Sequence, residues 1–209
     1  MPQYKLTYFN LTALGEPIRW AFKIAGVDFE DERIEISDWA AVKKSGRFPQ
    51  EQIPLLEIDG EVFTQSTAIL KYLGKKFDLD VDDAILRFRL DQIFGILDDA
   101  RIEFRSWFME NDPDKKQNLQ QTLVNESIPR YLRQVEEIVA KTDGNFITGS
   151  KLTYGDLYVA NILGMWLSLS LLQEQKLQDE FPKLATLRNA VVTIPAIKSW
   201  IAVRPKTLF

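Results

Sequence analysis

IPLLEIDGEVFTQSTAILKYL, residues 53–73, decides the fold class. Ile53 to Ile58 is a short apolar run suited to a strand. Asp59-Gly60 is a tight-turn pair, and Glu61 to Thr64 can return as the second strand. Ser66 can cap the helix that follows, whose Ile69, Leu70 and Leu73 share one face. Upstream, Tyr4 to Phe9 alternates as a strand with Leu6 and Tyr8 on one face. Gly15-Glu16-Pro17 opens a helix that carries Ile18, Phe22 and Ala25 at helical spacing, and Gly26 ends it as a left-handed cap. Phe29 to Ile36 is a second extended run. The order β-α-β, a connecting segment, then β-β-α defines an α/β domain over residues 1–77.

Past a short linker, Phe77 to Asp82, the strand signals vanish. Leu86, Leu90, Ile93, Leu97 and Ala100 recur at helical spacing, as do Leu123, Ile128, Leu132, Val135 and Val139. Asn111-Asp112-Pro113 and Thr142-Asp143-Gly144 punctuate these helices. Thr153-Tyr154-Gly155-Asp156 has capping-box spacing ahead of the uncharged run Leu157 to Leu172. Pro182 and Pro195 each open a further helix. Residues 83–209 thus read as an all-α domain.

The most informative counts among the 209 residues are zeros, Cys 0 and His 0. No disulfide can form, and no thiolate or imidazole can ligate zinc, iron or copper. A Ser-His-Asp triad, a cysteine nucleophile and a histidine base are all excluded. Lys and Arg total 26 against 30 Asp and Glu, a net charge of −4, so the basic excess needed for nucleic-acid binding is missing. Leu157 to Leu172 falls short of the roughly 20 apolar residues of a membrane span and reads as a helix buried on nearly all sides. MPQYKLTYFN carries neither a signal-peptide pattern nor a lipidation motif, so the expected location is cytoplasmic, with no membrane partner.

Three positions carry a chemical signal. A cis bond at Ile53-Pro54 would leave the Ile53 backbone free to pair with an extended peptide; a trans Pro would merely start a strand. Gln65 and Ser66 lie where a strand meets a helix, which is either a carboxylate-binding corner or a plain N-cap. Tyr8 is one of six tyrosines, either a functional hydroxyl or a strand residue.

Together these positions resemble the sigma class of cytosolic glutathione transferases, which includes the haematopoietic prostaglandin D synthases and many invertebrate enzymes. YKLTYFN, ALGEPIR, SDW-A-A-V-K, IPLLEIDG, QSTAILKYL, GSKLTYGD and PAIKSWIAVRP carry the resemblance along the whole chain, and ALGEPIR is most similar to arthropod members. The resemblance implies an α/β thioredoxin-like N-terminal domain that binds glutathione and an all-α helical-bundle domain that holds a hydrophobic-substrate pocket. It gives Tyr8 the hydroxyl that hydrogen-bonds the glutathione sulfur. Trp39 and Lys43 match residues at the glycyl end, and Ile53, before a cis Pro54, matches the backbone partner of the cysteinyl unit. Gln65 and Ser66 match the pair at the γ-glutamyl carboxylate. Asp99 matches an acidic residue lent by the other subunit of a homodimer.

A free thiol of pKa about 8.5 is only about 3% thiolate at pH 7. Lowering that pKa by about two units needs roughly 2.7 kcal/mol, and one hydrogen bond to a charged acceptor supplies about 1.5–3 kcal/mol. A tyrosine is therefore sufficient, because the nucleophile arrives with the cosubstrate.

The chain departs from the pattern in three places. Leu14 stands where many sigma enzymes have an arginine. Gly95-Ile96-Leu97-Asp98-Asp99 lacks the first carboxylate of the metal-responsive cluster, so no metal is expected. Gln52 replaces a common lysine at the glycyl end, after a longer loop. The implied electrophile pocket is Phe9, Leu14, Phe104, Trp107, Tyr158 and Ile162, although Tyr158 and Ile162 also fit ordinary core. The expected activity is conjugation of glutathione to hydrophobic or lipid-derived electrophiles. Glutathione-dependent prostaglandin D synthesis and a non-catalytic crystallin or ligand-carrier role are the alternatives.

Overall fold

A computed structural model describes residues 2–207 and Phe209. One compact unit runs to Asp80 and is joined by the segment from Val192 onward; the other is Val81–Val191. The sequence reading placed everything past 83 in the helical domain, whereas the segment from Val192 packs with the first unit.

The first unit is built on a mixed sheet of order β2-β1-β3-β4, from β1 (Tyr4–Phe9), β2 (Glu30–Ile34), β3 (Leu55–Ile58) and β4 (Glu61–Thr64). β2 runs parallel to β1, with Tyr8 opposite Arg33, while β3 is antiparallel to both β1 and β4. Asp59 and Gly60 both have positive φ, 50° and 90°, the conformation a two-residue hairpin turn requires. The helix α1 (Glu16–Ala25) buries Ile18, Trp20, Ala21 and Phe22 and ends at Gly26 in the left-handed region. Ile69, Leu70 and Leu73 of α3 (Ser66–Lys76) are buried as their spacing predicts. Between β2 and β3 the connecting segment contains a helix that the sequence reading missed, α2 (Ile36–Val42), which has no buried residue.

The second unit is helical: α4 (Ala84–Phe108), α5 (Pro113–Thr122), α6 (Ile128–Val139), α7 (Tyr154–Ser168), α8 (Glu174–Glu180) and α9 (Pro182–Val192). A π-helical turn, Leu123–Ser127, joins α5 to α6. Leu90, Ile93, Leu97, Ala100, Leu123, Ile128, Leu132, Val135 and Val139 are all buried, as their period requires. α7, whose one charged residue is Asp156, is buried from Tyr154 to Leu163 and again at Met165 and Trp166. Its capping box is complete. The Asp156 carboxylate accepts from Ile147 N–H (2.7 Å), Thr153 N–H (2.7 Å) and the Thr153 hydroxyl (2.6 Å). Burial pushes this carboxyl up to about 6, while the donors pull it the other way. None of the described helices is long and apolar enough to cross a membrane.

Candidate active site

Tyr8 lies near the end of β1, a strand flanked on both edges, and is buried. A short 3-10 turn, Ala13–Gly15, follows β1 and leads into α1. There the Leu14 N–H donates to the Tyr8 hydroxyl oxygen at 3.3 Å. Gly15 packs so closely on the phenol ring that a Cβ would stand 2.5 Å from Tyr8 Cδ1. The Arg19 guanidinium carbon lies 6.0 Å from the ring centroid, inside cation–π range. The Leu14 N–H thus fixes where the Tyr8 hydroxyl sits, and a phenol is both acceptor and donor.

An aromatic row extends from Tyr8. Its ring centroid is 5.7 Å from Phe9, Phe9 is 5.4 Å from Trp39, and Trp39 is 5.0 Å from Phe48. The edge-on angles of 81° and 76° along the last two steps are those that aromatic quadrupoles favour. Lys43, at the end of α2, has its Nζ 3.8 Å from Glu51 Oε2. Arg47 grips Glu32 of β2 through both terminal nitrogens, Nη1 to Oε1 at 2.7 Å and Nη2 to Oε2. Its guanidinium, with the Thr7 hydroxyl, holds the Glu32 carboxyl down at about 2. This pair ties the longer loop to the sheet. Gln52 is exposed and extended.

Ile53-Pro54 is cis, and Ile53 sits half-buried just ahead of the β3 ladder. At the start of α3 the sequence reading needs a correction. Ser66 is the first helical residue and not the cap, a position Gln65 occupies with φ 72° and ψ 104° and no side-chain capping bond. Gln65 spends a positive φ that side chains seldom adopt, and its own side chain makes no capping bond to the first turn of α3.

In the helical unit the two neighbouring aspartates differ. Asp98 Oδ1 accepts from Arg101 Nε and from the Tyr158 hydroxyl, each at 3.2 Å, whereas Asp99 is exposed. Burial and the facing Asp98 carboxylate raise the Tyr158 phenol well above its ordinary range, so it stays protonated. Tyr158 stacks on Phe94 at 4.4 Å, and Phe104 lies 5.5 Å from Trp107 on the next turn of α4. Phe104, Trp107, Tyr158 and Ile162 are all buried; Phe9 and Leu14 of the first unit are half-buried. Among the described residues no three carboxylates gather as a metal site.

Sequence reasoning missed the charged groups beneath Tyr8. Glu16 and Arg19 are wholly buried, and Arg19 Nε is paired with Asp31 of β2 at 3.0 Å. Helical spacing gave no signal for Glu16, which at about 3.6 residues per turn falls opposite Ile18 and Ala25 on α1, on the side of Trp20. The partners on other elements were not readable.

A mixed sheet with a buried tyrosine near the end of β1 and a cis-proline ahead of β3, followed in sequence by a helical domain, defines a two-domain class that joins an α/β unit to an all-α one. Comparison narrows it. Residues 4–75 match the family model "Glutathione S-transferase, N-terminal domain", and residues 98–204 match "Glutathione S-transferase, C-terminal domain". The chain belongs to the glutathione S-transferase family. It is 37% identical over 210 residues to glutathione S-transferase 1 of Ascaris suum, covering 99% of each. It is also 36% identical over 207 residues to the hematopoietic prostaglandin D synthase of Mus musculus, again covering 99% of each. Prostaglandin synthase D of Nilaparvata lugens has a similar solved structure, with a TM-score of 0.88 at 36% identity, over 98% of this chain and 100% of that one.

Proposed function

We propose that the protein is a sigma-class, cytoplasmic, homodimeric glutathione transferase that needs no metal. It ionises the thiol of glutathione at Tyr8 and adds the thiolate to hydrophobic or lipid-derived electrophiles. The observation that carries this reading is the buried Tyr8 hydroxyl, oriented by the Leu14 N–H. The sulfur would lie against that hydroxyl and stay ionised because Tyr8 donates to the thiolate more strongly than to the thiol. The glycyl carboxylate would reach Trp39 and Lys43, with Gln52 beside them, and the cysteinyl backbone would pair with Ile53 ahead of Pro54. The uncapped start of α3, with Gln65 and Ser66, suits the γ-glutamyl carboxylate. Asp99 of a second copy would balance the γ-glutamyl ammonium. Phe9 and Leu14 are assigned to the electrophile side of Tyr8, and Phe104, Trp107, Tyr158 and Ile162 to the apolar contribution of residues 83–209.

Turnover of a chromogenic aryl halide with glutathione tests the reading, with Tyr8→Phe as the control. Loss of kcat with nearly unchanged glutathione affinity supports it, and equal kcat in the two proteins rejects it. A second reading, glutathione-dependent isomerisation of prostaglandin H to prostaglandin D, is favoured by the similarity to the mouse synthase and weakened by Leu14 in place of arginine. Product analysis separates the two.

A further inference from the structure

Glu16 opens α1 with its carboxylate fully buried, and four donors converge on it. Arg19 Nη1 donates to Oε2 at 3.2 Å; Trp20 Nε1 (3.1 Å), Trp200 Nε1 (2.9 Å) and Arg204 Nη1 (2.6 Å) all donate to Oε1. Trp200 belongs to α10 (Pro195–Val203), and Arg204 is its C-cap. The same end of the chain holds the turn before α1 at a second point, where Thr12 N–H donates to the Phe209 carbonyl at 3.0 Å. Arg19 Nη1 closes the loop from inside by donating to the Leu11 carbonyl at 2.8 Å. Leu11–Glu16 is therefore anchored at both ends, and between the anchors lie the two groups that fix Tyr8. These are the Leu14 N–H on its oxygen and Gly15 on its ring.

A buried carboxylate with three N–H donors on one oxygen is a costly way to start a helix, since an apolar residue would fill the space without desolvating a charge. Its directional bonds do what an apolar residue cannot: they fix where the backbone of residue 16, and so of residues 14 and 15, sits relative to α10. We propose that Glu16 is a positioning residue through which Trp200 and Arg204 set the hydroxyl of Tyr8. This rests on the reading of Tyr8 as the group that ionises the glutathione thiol. The C-terminal segment then acts on catalysis through Glu16.

The test is the pKa of the bound glutathione thiol, read by thiolate absorbance across a pH titration, in Arg204→Gln and separately in Trp200→Phe. Each removes one donor to Glu16 and leaves the Glu16 carboxylate with other partners, so at least one of the two should fold. The expected result is a rise of about 0.5–1 pH unit, which from a starting value near 6.5 is roughly a 1.5- to threefold loss of thiolate at pH 7, with glutathione affinity retained and Arg204→Lys closer to wild type. A lowered melting temperature with an unchanged thiol pKa in both variants overturns the proposal, because a merely structural role predicts that outcome. Tyr8→Phe in the same titration separates the failures. If it raises the pKa and the α10 variants do not, the positioning role is wrong. If Tyr8→Phe leaves the pKa unmoved, the reading of Tyr8 falls and this proposal falls with it.

Discussion

Gly15 lies against the face of Tyr8 with no room for a methyl group: a Cβ at Gly15 would stand 2.5 Å from Tyr8 Cδ1 and 2.9 Å from Cγ. The glycine is required by this approach and not by its backbone, which is helical at φ −78°. Cγ is fixed to the strand through one bond to Cβ, so the ring can yield only by moving its hydroxyl.

Gly15→Ala should therefore lower kcat by roughly tenfold, the effect of a misplacement worth about 1.4 kcal/mol in the transition state. Overpacking should also cost about 1–3 kcal/mol of stability. Gly95→Ala is the matched control, since nothing lies within 4 Å of its Cβ position on α4. Steady-state kinetics and thermal unfolding of both variants check this. Equal kcat in Gly15→Ala and wild type would mean that the ring tolerates displacement.

Arg47→Gln should destabilise the first unit at neutral pH and lose that effect in acid. The Glu32 carboxyl is held at about 2, below its ordinary 4.5, by Arg47. A depressed carboxyl contributes stability that is fully present above pH 4.5 and disappears as pH falls through about 2. With Arg47 43% exposed, solvent screening reduces the contribution to about 1–2 kcal/mol. Urea unfolding of both proteins at neutral pH and in the acid window measures it. A gap between them that does not narrow with acid would assign the effect to packing of Arg47 on Phe48 instead.

The hairpin was legible because Asp59-Gly60 encodes its own turn, α4 and α6 because their apolar residues repeat with the helical period, and α7 because a capping-box spacing precedes an uncharged run. The sequence hid α2 and α8 for one reason. α2 buries nothing and α8 buries only Leu177, so neither has an apolar face to read. Gln65 was passed over as the start of α3 because serine is the commoner cap, and nothing local announces a positive φ at glutamine. At the candidate site, the positions of Tyr8, Ile53 and Gln65 at element ends left a structural reading open beside the functional one, and only the family resemblance gave them roles. Arg47 on Glu32, and Arg204 on Glu16, join residues 15 and 188 positions apart, and periodicity carries no information about such pairs.

Asp156→Ala should be among the most destabilising single changes in the helical unit. It removes the Asp156 half of the α7 capping box and leaves the buried N–H groups of Ile147 and Thr153 without their acceptor. Loss of a cap and an unmet buried donor together cost about 3 kcal/mol. Asp156→Asn keeps one acceptor oxygen and should lose less. Denaturant unfolding gives both values, and a loss below about 1 kcal/mol in the alanine variant would show that water or a shifted backbone replaces the carboxylate.

Asp99 should act on a glutathione site that belongs to the partner subunit. Asp98 is spent on Arg101 and Tyr158, whereas Asp99, one residue on, points its carboxylate into an exposed position on α4. In the proposed γ-glutamyl site Gln65 and Ser66 supply no negative charge, so an ammonium bound there needs a carboxylate from elsewhere. Asp99→Ala should raise KM for glutathione about five- to tenfold while lowering kcat less, the pattern of lost uniform binding. Complementation tests the geometry. A heterodimer is isolated from a Tyr8→Phe chain and an Asp99→Ala chain. If Asp99 acts across the dimer, one of its two sites has both intact residues and turns over with wild-type glutathione affinity. If Asp99 acts within its own chain, each site lacks one of the two, and only the weak affinity of Asp99→Ala remains. That second result, or a protein whose mass in solution is that of one chain, would end the shared-site model.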